Sequence, residues 1–131
     1  VFPEEYVPAE RVVHTVPNAQ LEVEGKRPLF IVLDGTWTEA RKMFRKSAYL
    51  ADLPVLSLQP DDISRYRLRR STRDEHLCTA EVTALCLHLA EDSIAGAALE
   101  KWFSRFSRHY LASRKPPSVA EKEALRTGTA F

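Results

Sequence analysis

No apolar run in this sequence approaches the roughly 20 residues that a membrane-spanning helix needs. Glycine is scarce, with four in 131 residues. The patterns GxGxxG and GxSxG and that of a phosphate-binding P-loop are all missing, so a glycine-rich nucleotide cradle is excluded. Cysteine is scarcer still. Cys78 and Cys86 stand eight apart without a CxxC and read as free thiols of a reducing compartment, neither a disulfide framework nor a zinc site. His14, His76, His88 and His109 have no metal-ligand spacing. The chain opens on Val1-Phe2-Pro3, which reads as the end of a strand; the expectation is a fragment whose earlier elements are missing.

What is present is an ordinary globular composition, 44% hydrophobic and 28% charged, in a length suited to one domain. The formal net charge of +1 hides an asymmetry. Residues 1–40 carry three bases and seven acids, whereas residues 41–80 carry nine bases and five acids. A local surface for a polyanion on a near-neutral protein is the expectation.

The centre of the chain is Leu29-Phe30-Ile31-Val32-Leu33, followed at once by Asp34-Gly35-Thr36-Trp37. The apolar run lacks polar alternation and predicts a strand covered on both faces, the habit of parallel sheets. Ligands of such sheets sit beyond the carboxyl ends of the strands. Asp-Gly is also a hairpin signal. Helical spacing of Ala40, Met43 and Phe44 after it favours a helix from about Trp37 to Tyr49 instead. Thr36 and Glu39 match a capping box at its start. Arg41, Lys42, Arg45 and Lys46 share its exposed side. In the functional reading Asp34 is an acceptor or base at a crevice and Trp37 a stacking face. In the structural reading they are a turn residue and a core Trp.

Residues 53–58 predict a second buried strand. Gln59–Cys78 is a long polar segment with Arg65, Arg67, Arg69, Arg70 and Arg73 set around Tyr66. Loops of that length are uncommon without a function. Arg binds phosphate bidentately and Tyr offers a stacking plane, so the loop reads as an RNA contact rather than a solvated run. Thr79 is the expected cap of a helix to about Asp92. Glu81 follows it by two, which leaves the reciprocal box incomplete and Glu81 as an acid favoured by the helix dipole. Gly96 is the expected break. Residues 97–114 form an amphipathic helix with Leu99, Trp102, Phe103, Phe106 and Tyr110 as an aromatic stripe. The expected organisation is a domain over residues 1–115 and a tail over 116–131. The order strand, helix, strand, loop, helix, helix predicts an α/β fold with helices on the faces of the sheet.

These segments together resemble the DTW-domain family, the tRNA-uridine aminocarboxypropyltransferases. Asp34-Gly35-Thr36-Trp37 matches the D-x-T-W motif; Ser64, Tyr66, Leu68 and Arg69 match S-x-Y-x-L-R; Thr79 and Glu81 match T-x-E. The resemblance covers residues 2–114. It implies a SPOUT-like fold with a mainly parallel sheet and a C-terminal knot, of which the family's N-terminal cysteine-bearing region and further strands are absent here. It implies S-adenosylmethionine as group donor, tRNA as partner, no metal in this chain, and a cytoplasmic setting. The reaction implied is transfer of the 3-amino-3-carboxypropyl group to N3 of a uridine, with methylthioadenosine leaving. Asp34 would take the N3 proton, with Thr36 and Trp37 beside it, and Trp37 or Tyr66 would stack on a base. Leu58, Ser64, Tyr66, Leu77, Thr79 and Glu81 would line the donor site. Arg41, Lys42, Arg45, Arg65, Arg67, Arg69, Arg70 and Arg73 would hold phosphates. A SPOUT-type RNA methyltransferase and a non-catalytic RNA-binding domain are the alternatives.

Overall fold

The computed structural model describes residues 1–63 and 77–114. It is an α/β structure made mostly of helices. A two-stranded parallel sheet pairs β1 (Val12–Val13) with β2 (Val55–Leu56), Val12 opposite Val55 and Val13 opposite Leu56. The α-helices named here are α1 (Asn18–Val23), α2 (Trp37–Lys46), α3 (Thr79–Leu89) and α4 (Ser93–Arg114), and residues 60–63 are helical as well. The chain divides into one compact unit over Val1–Glu100 and a second that begins at Lys101. No helix of the described residues is long and apolar enough to cross a membrane.

The run Leu29–Leu33 corrects the expectation of a buried strand. It joins no ladder among the described residues, and Leu29 is 86% exposed. One contact aligns it: the Val1 amine donates to the Ile31 carbonyl at 2.8 Å. On the other side the Phe2 amide donates to Leu56 at 3.1 Å, and the Ser57 amide donates to Val13 at 2.9 Å. Single hydrogen bonds of this kind do not make a strand pair.

Two small cores hold the first unit. Phe2, Ala40 and Val55 are buried together, with Val7, Leu33, Met43 and Phe44 against them. Burying a side chain such as Phe2 contributes about 1.5–3 kcal/mol. Ala84 and Leu85 of α3 form the second core with Leu58, Ile63, Leu77, Leu89 and Leu99. Arg11 binds the segment after α2 to the N-terminal turns: its Nη2 donates to Leu50 at 2.6 Å and to Leu53 at 3.0 Å. Asn18 of α1 donates to the Leu89 carbonyl at the end of α3 at 2.8 Å.

Helix α2 stops at Lys46, short of Tyr49, and a 3₁₀ turn over Ala48–Leu50 follows. Helix α3 ends in a reciprocal Schellman pattern. The Glu91 amide donates to His88 and the Asp92 amide to Leu87, both at 3.0 Å. Glu91 takes the left-handed position, φ 61°, where glycine is usual. The break between the last two helices thus falls at residues 90–92, not at Gly96. Asp92 caps α4 by accepting from the Ala95 amide at 3.1 Å. Gly96 lies inside that helix, buried against His88; a Cβ there would meet His88 Nε2 at 2.8 Å. His88 Nε2 in turn sits 3.0 Å from Glu100 Oε1.

The left-handed site at Glu91 is strained for a residue with a Cβ. Glu91→Gly is expected to raise stability by about 0.5–1 kcal/mol, the relief of left-handed backbone less the glycine's entropy. Chemical denaturation checks it; unchanged or lower stability would contradict the strain.

Candidate functional site

The starts of α2 and α3 meet. Thr79 Oγ1, at the first position of α3, donates to Asp34 Oδ1 at 2.6 Å, across 45 residues of chain. The bond is possible because Thr79 is not the cap of its own helix. Cys78 is the N-cap: its side chain accepts from the amide of Glu81, and its amide donates to Glu81 Oε2 at 3.0 Å. The expected cap is therefore displaced by one residue. Glu81 falls three residues after it and completes the capping box that Thr79 could not. Cysteine is outside the usual set of capping residues, so the pattern was hidden. The Thr79 hydroxyl is left for Asp34, whose Oδ2 has no hydrogen-bond partner among the described residues.

The start of α2 follows its sequence signature. Thr36 accepts from the Glu39 amide at 3.4 Å, and Glu39 Oε2 accepts from the Thr36 hydroxyl at 2.7 Å and from its amide at 2.9 Å. These bonds, the side-chain one first, hold the Glu39 carboxyl below its ordinary range. A lowered folded-state pKa makes this cap stabilising above the ordinary carboxylate pKa and lost as pH falls through the lowered value. Gly35 fits closely beneath: a Cβ there would lie 3.2 Å from Glu39 Oε2. Among the described residues the first-turn amides of Trp37 and Thr38 have no acceptor, so they remain donors for a ligand.

A cavity of about 550 Å³ opens between these two turns. Gly35, Trp37, Leu58, Leu77, Thr79 and Val82 are among its walls. Asp34 is not among its lining residues, although its chain neighbours Leu33 and Gly35 and its hydrogen-bond partner Thr79 are. Glu81 does not line it; the carboxylate is buried, 8% exposed, and serves the cap. Trp37 is 55% exposed and leans on Phe2, with ring centroids 5.9 Å apart, and on Tyr6, 6.1 Å away. It is therefore neither a core residue nor a free one. Arg41, Lys42 and Arg45 lie exposed along α2. Ser64, Arg65, Tyr66, Arg67, Arg69, Arg70 and Arg73 fall outside the described residues.

Burial pushes the Cys86 thiol up to about 11, with no part of the side chain open to solvent. Burial also raises the Cys78 thiol. Neither is poised as a nucleophile.

Sequence reasoning missed Phe2 and Tyr6, which support Trp37 from a turn about 30 residues earlier. No local period marks them. Their aromatic character alone was available as a signal.

Thr79→Val keeps the shape of that side chain and removes its donor. It is expected to cost about 1 kcal/mol in chemical denaturation. A Thr79→Ser variant should recover most of it. Equal stability of all three proteins would show that the bond to Asp34 holds nothing.

No solved structure matches the chain. The family model of the DTW domain matches residues 1–111. That span takes in the Asp34-Gly35-Thr36-Trp37 turn, the Thr79 turn and the cavity between them, and the chain belongs to the DTW-domain family.

Proposed function

We propose that the chain is an RNA-modifying transferase that moves the 3-amino-3-carboxypropyl group of S-adenosylmethionine to N3 of a uridine in tRNA, in the cytoplasm. The observation that carries this reading is the convergence of the DGTW turn and the Leu77–Thr79 turn on one cavity in a chain of the DTW family. On the same reading the fold is a SPOUT relative, with the knot of that class in its C-terminal part. Residues 1–115 form its catalytic domain and residues 116–131 a tail.

The cavity suits the donor in size and in chemistry. Its volume falls in the usual range for small-molecule sites. Leu58, Ile63, Leu77 and Val82 offer an apolar wall for an adenosine. The free amides of Trp37 and Thr38 offer donors to a carboxylate. S-adenosylmethionine supplies a sulfonium whose three attached carbons are open to displacement. Which one reacts is then a matter of placement by the protein.

Asp34 is the base in this reading. N3 of uracil is an imide nitrogen that attacks well only without its proton. With Oδ1 fixed by Thr79, Oδ2 takes that proton as the new N3–carbon bond forms. The carbon–sulfur bond breaks with its electron pair on sulfur, and methylthioadenosine leaves uncharged. N3 is paired in a duplex, so the uracil must enter unpaired. Trp37, half exposed and supported by Phe2 and Tyr6, is the stacking face for it. Arg41, Lys42, Arg45 and the arginines of residues 65–73 provide the charge for tRNA phosphates. Ser64 and Tyr66 belong to the donor side of the site, as the family motif implies.

The test uses tRNA with donor labelled separately on the methyl and the carboxyl carbon. Carboxyl label in the tRNA is the expected result. Methyl label alone would make the chain a methyltransferase, and no label with retained tRNA binding would make it a binding module. Asp34→Ala is expected to lower transfer at least 100-fold with tRNA binding unchanged within a few-fold. Equal losses of both would reduce Asp34 to a turn residue.

A further inference from the structure

A second recess, of about 380 Å³, shares Phe2 with the DGTW cavity and is lined by Phe2, Tyr6, Thr38, Arg41, Phe44 and Arg45. Its composition is unlike that of the first. Three of the six residues are aromatic and two carry a guanidinium. Phe2 and Phe44 stack with centroids 4.6 Å apart and planes 8° apart, and the Arg11 guanidinium lies over the Phe44 ring, 5.5 Å from its centroid. Phe2 also meets the edge of Tyr6 at 6.1 Å. Tyr6 remains 45% exposed, a large ring held in place yet open to solvent.

The charges are set for an anion. The Arg41 guanidinium lies over the Tyr6 ring, 5.5 Å from its centroid. The ring holds it through its quadrupole and takes none of its N–H groups. Arg45 follows one helical turn later, on the same face of α2. No carboxylate among the described residues pairs with either. Acids of the adjacent turn are engaged or turned elsewhere: Glu4 reaches His14 at 3.5 Å, and Glu5 borders the DGTW cavity. Two guanidiniums without a carboxylate partner among the described residues, beside an exposed, braced aromatic ring, match one chemical class, a base with its phosphate.

We propose that this recess is a nucleotide subsite, taking one unpaired base against Tyr6 and its phosphate on Arg41 and Arg45. The proposal rests on the RNA-modifying reading for the identity of the strand, and adds where the neighbour of the target nucleotide goes. Phe2 walls both cavities, and Trp37 and Tyr6 touch across their border. A strand whose uracil enters the first cavity thus has its next nucleotide at the second. The subsite would favour substrates with two adjacent unpaired nucleotides over a single bulged base.

The test titrates a five-residue oligouridylate into the full chain at several salt concentrations. Arg41→Gln is expected to weaken binding and to lower the slope of log affinity against log salt by about one, the loss of one phosphate contact. Tyr6→Leu is expected to weaken binding about tenfold with the slope unchanged, the loss of one stacked base. Inorganic phosphate at matched ionic strength should not reproduce either difference. Loss with Arg41→Gln but none with Tyr6→Leu would overturn the subsite in favour of a plain basic surface. Loss of the same size in Lys46→Gln, an exposed cation of α2 that does not line the recess, would do so as well. Should Tyr6→Leu unfold, Tyr6→Phe, which keeps the ring, must bind as the parent does while the salt-slope change of Arg41→Gln stands; failure of either overturns the proposal. The labelled-donor assay separates the two readings. Transfer with unaltered KM for tRNA in both variants leaves the function and removes the subsite; variant-sensitive oligonucleotide binding without transfer leaves the subsite and removes the function.

Discussion

The hydrogen bond from Thr79 to Asp34 is the constraint on which the rest of the site depends. It joins the first turns of two helices that the chain separates by 45 residues, and the cavity lies between those turns. Each partner is available only because its own helix is capped by someone else. Thr36 caps α2, so Asp34 need not; Cys78 caps α3, so Thr79 need not. Two reciprocal capping boxes therefore free one carboxylate and one hydroxyl for each other. The same bond fixes one oxygen of Asp34.

Around that joint the structure is built more from helices and aromatic contacts than from a sheet. The parallel ladder is two residues long on each strand. Phe2 ties the N-terminal turn to β2 through its amide and to α2 through its ring, so one residue borders both recesses. Trp37 owes its position to this arrangement. It is held by Phe2 and Tyr6 and stays more than half exposed.

What could be read from the sequence was what local chemistry decides. Thr36 and Glu39 announced a helix start, and Ala40, Met43 and Phe44 its inner face, because caps and helical spacing act within a few residues. Cys78 announced nothing, since its thiol is a rare cap, and the resulting shift of one residue misassigned both Thr79 and Glu81. Gly96 was mistaken for a break because glycine is a common one; here it makes room for the His88 ring, a neighbour eight residues earlier on another helix. The apolar run 29–33 carried a strand's composition, but a ladder needs partners, and partnership is not a local property. Tyr6 and Phe2 were invisible for the same reason.

The central claim is that the two helix starts form one donor site. Hydrogen–deuterium exchange of the full chain with and without S-adenosylmethionine tests it most directly. The account predicts slower exchange at residues 35–38 and at residues 78–82 together, at the same donor concentration, with both effects lost in Thr79→Val. Protection of only one turn, or of neither while the donor is bound elsewhere, would contradict it.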